Sequence, residues 1–313
     1  MITVTKAPPW LAVQDAGRTG FRADGVPLGG AMDQFALRAA NLMVGNDPDA
    51  AVLEWSLAGG MLRFESAATF VLVGAIVNAD IGGRPVAPCT TTRALAGNQL
   101  TVERFLAGRF LYVAVAGGID VPSVLGSRST YLPGHFGGLS GRLVKTGDQL
   151  STGPGRSSPN EGFHCATELM PRYDNETVHI TRGPQADIFG DHAFTILGES
   201  GHRVSAASDR TGYKLDGPSI GPSPGSLPSE AACPGSIQVP GDGHPIILMA
   251  DAPTVGGYPK IAVVSEADLP IVAQRRPGDN LRFEMISTEQ SQKALRRRAS
   301  NLNTLAQLAA RSI

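Results

Sequence analysis

Residues 208–214, SDRTGYK, gather more chemistry than any other short stretch of this 313-residue chain. Asp209, Arg210, Tyr213 and Lys214 place a carboxylate, a fork-shaped cation, a phenol and an ammonium within a few positions. Such a set binds a carboxylate through charge-assisted hydrogen bonds and polarises an adjacent carbonyl. The alternative is a self-contained turn, with Asp209 as its cap and Gly212 at positive φ. Residues 238–261, QVPGDGHPIILMADAPTVGGYPKI, form a second candidate. An apolar strand at 246–249 delivers Asp251 into a loop carrying Thr254, Tyr258 and Lys260, and Gln238 opens the segment. The third is 126–130, GSRST, whose hydroxyls, backbone amides and Arg128 suit an anion or simply a polar loop.

The first candidate has an echo. QDAGRTGFRADG at 14–25 repeats an Asp, then Arg-Thr-Gly, an aromatic residue, a base and Asp-Gly, which makes Asp15, Arg18 and Arg22 counterparts of the later turn. Turns of the form Gly-Asn/Asp-Gln/Asn-Leu recur at 97–100, 147–150 and 278–281. This self-similarity predicts two related units.

Other chemistry finds no motif. There is no phosphate loop, no GxSxG elbow, and no HxH or HExxH among the six histidines. Three scattered cysteines argue against a disulfide framework or a closed zinc site. No metal ligands are assigned. No lysine lies between two methionines, so no covalently bound biotin is expected. The net charge of −1 supplies no field for nucleic acid or anionic lipid. The chain reads as soluble and cytoplasmic, without a leader or a membrane span.

The elements that position these residues should be mostly strands, because 38 Gly and 23 Pro with few aromatics imply short strands and tight turns. Strand-like runs fall at 51–57, 61–64, 69–75, 100–105, 110–116, 245–250, 260–264 and 281–286. Helical spacing appears at 32–43, weakly at 265–274 behind Ser265 as N-cap, and at 295–309, a range that contains the basic run Arg296-Arg297-Arg298. The Gly/Ser/Pro-rich stretch 151–175 predicts a division into 1–155, 156–287 and a terminal helix 288–313. A second such stretch, 216–235, reads as a mobile flap beside the candidate site.

Long ordered strings, including VQDAGRTGF, GVPLGGAMDQFALRAANLMVGN, YVAVAGGIDVPSVLGSRST, SDRTGYKLDGP and VGGYPKIAVVSEADLPIVAQRRPGD, resemble the allophanate hydrolase subunit 2 family. They are most similar to the third-subunit branch of bacterial 5-oxoprolinases, and related to the carboxyltransferase region of urea carboxylase. The resemblance implies two cyclophilin-like β-barrel halves with a few short helices and a C-terminal helix. It also implies ATP-dependent opening of the lactam of 5-oxoproline to glutamate, with ATP and magnesium bound in an assembled complex. The implied partners are a second family member, the B-type 5-oxoprolinase subunit, and a separate hydrolytic subunit. Two other readings are a regulatory protein that antagonises a kinase inhibitor, and a carboxyltransferase served by biotin on another chain and acting on urea or a related amide.

Residue chemistry placed on these motifs assigns proton handling or orientation to Asp251, Tyr258 and Lys214. It assigns substrate binding to Arg210, Asp209, Tyr213, Gln238, Thr254, Lys260, Asp15, Arg18 and Arg128. Arg210 is expected to hold the substrate carboxylate, contributing about 1.5 to 3 kcal/mol. Pro253, where a polar residue is expected, leaves the amide or lactam open.

Overall fold

The computed structural model describes residues 1–155, 160–221 and 227–312 and is mainly β. Two compact units emerge. One comprises Met1–Arg18, Gly29–Met170 and Ser300–Ile313, and the other Thr19–Leu28 and Pro171–Ala299. The boundary thus lies at 170/171, inside the Gly/Ser/Pro-rich stretch but beyond the expected 155/156; residues 156–159 are outside the described residues.

In the first unit, hydrogen bonding orders the strands Trp10–Gln14, Val52–Ser56, Gln99–Val115, Gly60–Phe64, Ile2–Lys6, Gln149–Thr152 and Ile119–Asp120 into one sheet. Ala68–Ile81 also pairs along Gln99–Val115. The two runs expected at 100–105 and 110–116 are therefore one 17-residue strand. Glu103, Arg104, Leu106 and Ala107 in its middle are exposed, and register shifts within residues 74–79 of the partner strand absorb the change of pattern. Leu11, Val13, Leu53, Trp55, Leu62, Phe64, Phe70 and Leu111 belong to its core. Helix Gln34–Met43 buries the expected stripe of Phe35, Ala36, Ala39, Ala40 and Met43. The Asp33 carboxylate starts it by accepting from Ala36 N at 2.9 Å.

The second unit holds a closed barrel in the order Thr177–Arg182, Lys260–Val264, Ser236–Gln238, Ile246–Leu248, Gly212–Asp216, His202–Val204, Asn280–Met285. A parallel pairing of the last strand with the first closes it. The recurrent turns do the same job in both units: Gly97, Gly147 and Gly278 adopt φ of 84°, 93° and 90°, and each precedes a strand.

Residues 265–274 form a 3₁₀ turn, Glu266–Asp268, running into helix Leu269–Ala273. Ser265 makes no side-chain cap there; its Oγ lies 2.8 Å from Ser291 Oγ. The final helix, Thr288–Ala310, buries Leu305 and Ala309 but leaves Leu295, Arg296 and Arg297 exposed. Among the described residues no helix is long and apolar enough to cross a membrane.

Candidate functional site

Barrel register explains why the two candidate segments of the second unit meet. Gly212 pairs with Leu248 and Lys214 with Ile246 in an antiparallel ladder, so the residues just before 212 lie beside those just after 248. Met249 N donates to Thr211 O, and Asp251 N to Arg210 O at 2.9 Å. The side chains complete the junction. Arg210 Nε donates to Asp251 Oδ2 at 2.8 Å and Nη2 to Oδ1 at 3.0 Å, a bidentate pair with only 7% and 8% of the side chains exposed.

Two donors of the Arg210 fork, expected on a substrate carboxylate, hold Asp251, so the pair clamps the two loops together. Asp209 accepts from Thr211 N at 2.8 Å and Gly212 N at 3.2 Å, as a turn cap does. Tyr213 is fully buried and its hydroxyl donates to Ala273 O at 2.9 Å, which uses it inside the barrel. Lys214, next along the strand, is exposed. Tyr258 is exposed as well, on the loop past Asp251, and Thr254 is buried with its carbonyl accepting from Ala232 N.

A second polar group forms beside this clamp, on strands that the register again brings together. Gln238 pairs directly with Lys260, both buried. Lys260 Nζ lies 3.2 Å from Glu230 Oε1, an ion-pair distance, yet it lacks hydrogen-bond alignment to any described residue. The Gln238 Nε2 amide is likewise buried without a partner among the described residues. Gln185 ties the group up: its Nε2 donates to Glu230 Oε1 at 2.6 Å and its Oε1 accepts from Lys260 N at 3.0 Å. Gly183 permits this, since a Cβ there would stand 2.3 Å from Lys260 O.

Glu230 arrives on the stretch expected to be a flap. Glu230–Ala231 pairs with Val255–Gly256, and Leu227 N donates to Gly257 O, so the described part is zipped onto the Asp251 loop. Residues 222–226 of that stretch lie outside the described residues. Arg22, from the echo motif, also joins this unit and donates to Ala232 O.

In the first unit, the anion-holding groups expected at 126–130 bind the protein's own carboxylate. Asp15 accepts from Ser127 Oγ at 2.7 Å, from Ser129 Oγ and from Arg128 N. Arg18 Nη2 donates to Ser129 O at 2.6 Å, and its guanidinium lies 4.8 Å from the Phe136 ring centre. Arg128 reaches Val121 O and Asp120. Asp15, Arg18 and Arg128 thus knit one loop together. A separate cavity of about 260 Å³ in this unit is lined by Ile81, Arg84, Arg93, Leu95, Asn98 and Glu161, none of them a predicted site residue.

A family model described as carboxyltransferase domain, subdomain A and B, matches residues 24–285. The chain belongs to this family. It is 39% identical over 295 residues to the C-type 5-oxoprolinase subunit of Escherichia coli (strain K12), covering 94% of each protein. It is 33% identical over 307 residues to urea amidolyase of Lachancea kluyveri, covering 91% of this chain and 17% of that protein. Among solved structures, K. lactis urea amidolyase superimposes with a TM-score of 0.90 at 29% identity, over 97% of this chain and 20% of that one.

Gln185 and Glu230 escape sequence reasoning. Each is a lone polar residue without a motif; Gln185 reaches Lys260 just past the pairing of Thr177–Arg182 with Lys260–Val264, and Glu230 through a separate ribbon with Val255–Gly256.

Proposed function

We propose that this chain is a component of an ATP-dependent 5-oxoprolinase, working with a B-type partner and a separate hydrolytic subunit in the cytoplasm. The observation that carries the reading is collinearity: 39% identity spans 94% of both this chain and the C-type component of the E. coli enzyme. A lactam carbonyl is a poor electrophile, and phosphorylation of its oxygen by ATP is what makes attack by water feasible. This chain's sequence has no phosphate loop, and no group of three His, Cys, Asp or Glu among its described residues is arranged for a metal. ATP and magnesium are assigned to the assembled complex.

What this chain offers is a place for the substrate's own charge and dipole. Lys260 Nζ and Gln238 Nε2 are buried donors on facing positions, suited to a carboxylate or a carbonyl oxygen on which charge develops. Arg210 and Asp251 fix the loop beside them. Lys214 and Tyr258, both exposed, are left to contacts at the surface. The test is to co-purify the chain with its neighbouring family member and the hydrolytic subunit, then measure ATP hydrolysis that depends on 5-oxoproline. Hydrolysis by the trio that is absent when this chain is omitted supports the reading; an equal rate without it rejects the reading.

A second reading rests on the urea amidolyase match over 97% of this chain. On it, the chain transfers carboxylate from biotin carried by another protein to urea or a related amide. Bicarbonate- and biotin-dependent turnover in the same preparation would select it.

A further inference from the structure

Lys260 is a buried cation whose charge is answered by a carboxylate that is not buried. Its side chain is 4% exposed, whereas that of Glu230 is 43% exposed. The two elements that supply the pair differ as much in their support. Lys260 belongs to a five-residue barrel strand bonded on both sides, at Gln238 and along Thr177–Arg182. Glu230 belongs to a two-residue strand whose partner is the equally short Val255–Gly256. A ribbon that small has little stability of its own.

The neighbouring donor strengthens the contrast. Gln238 Nε2, beside Lys260 and close to Gly256, is buried without a partner among the described residues, although buried amides ordinarily find one. One more acceptor at this spot would satisfy both Lys260 and Gln238. The Glu230 carboxylate reaches only the first, without hydrogen-bond alignment, while its Oε1 is bound to Gln185 at 2.6 Å.

The geometry points to Glu230 as a built-in stand-in for a ligand carboxylate: it covers an anion site made by Lys260 and Gln238, and a small monocarboxylate enters by displacing it. This deepens the reading of the site as the place of a carboxylate-bearing lactam and rests on it for the choice of lactam. Charge balance fixes the class of ligand. Exchanging one carboxylate for another keeps Lys260 neutralised, whereas a neutral lactam leaves the buried ammonium unanswered. The apparent affinity of the ligand is then reduced by the fraction of molecules in which Glu230 sits on Lys260. Gln185 sets that fraction by anchoring the Glu230 side chain.

The test is calorimetric titration of the full-length chain with 5-oxoproline, propionate and neutral 2-pyrrolidone, comparing wild type, Glu230→Gln, Glu230→Ala and Glu230→Gln/Lys260→Gln. Both single Glu230 variants are expected to bind the carboxylates more tightly, by about two- to fivefold for a half-exposed ion pair. The double variant should lose the gain, and 2-pyrrolidone should not distinguish the proteins. A gain for propionate with none for 5-oxoproline supports the displaced-carboxylate device and rejects 5-oxoproline as the substrate. Unchanged or weaker carboxylate binding in both single variants overturns the device, as does a gain that survives loss of Lys260. Glu230 is half exposed, so its variants are expected to fold; thermal melting of each verifies this.

Discussion

Removing one half of the Arg210–Asp251 pair separates a clamp from a substrate hook. Both side chains are more than nine-tenths buried and share two hydrogen bonds of 2.8 and 3.0 Å. Arg210→Ala leaves the Asp251 carboxylate buried without its cation, a change that destabilises proteins by about 3–5 kcal/mol. At about 2–4 °C per kcal/mol for a unit of this size, melting should fall by roughly 6–20 °C. Asp251→Ala should also destabilise, by removing the carboxylate that accepts two of the guanidinium's hydrogen bonds. The apolar pair Arg210→Met/Asp251→Leu strands neither charge and should recover most of the loss, giving a large coupling energy in the double-mutant cycle. Differential scanning calorimetry on the four proteins measures this, with carboxylate binding followed in parallel. An Arg210→Ala protein that melts within about 2 °C of wild type and loses ligand affinity would refute the clamp and restore Arg210 as the carboxylate anchor.

Burial pushes the Cys89 thiol up to about 11 and Cys165 up to about 12, the second helped by its neighbour Cys89, while Cys233 is exposed. A chromogenic disulfide reagent at pH 8 should therefore titrate one thiol rapidly, Cys89 about a hundredfold more slowly and Cys165 about tenfold more slowly again; three equal rates would contradict the packing. His202, fully buried against Phe283, has its pKa lowered by desolvation. The unfolded chain then takes up the proton first, so the stability due to a neutral His202 is complete above about pH 6.5 and is lost as pH falls toward the lower folded value. His202→Gln should flatten the acid side of a melting-temperature profile. Gly183→Ala forces a Cβ against the Lys260 carbonyl and should destabilise the barrel by about 1–3 kcal/mol, read by denaturant midpoint.

Local pattern carries much of the fold. The apolar stripe at 32–43 is a buried helix, the runs at 51–57, 61–64 and 260–264 are strands, and each Gly-x-x-Leu turn launches a strand. The strand at 99–115 reads as two in the sequence because Glu103-Arg104 and Gly108-Arg109 look like a break; its continuity comes from its partner, Ala68–Ile81. Short strands such as His202–Val204 and Ser236–Gln238 have too few residues for any period to show. They exist because neighbours in the barrel supply their hydrogen bonds.

The same distinction governs the site. Asp209 and Asp15 are ambiguous in sequence between capping and binding, and what resolves them is the presence of donors: two amides within three residues for Asp209, and a loop more than a hundred residues away for Asp15. Sequence spacing exposes the first kind of partner and hides the second. Arg210 and Asp251 are 41 positions apart, and Gln185 and Lys260 are 75 apart. In a barrel, register links such positions, so a charged residue at a strand end is best interpreted against the residue its neighbour's register places beside it. Applied here, that rule sets Arg210 against Asp251 and Lys260 against Glu230, and of the two carboxylates Glu230 is the more exposed.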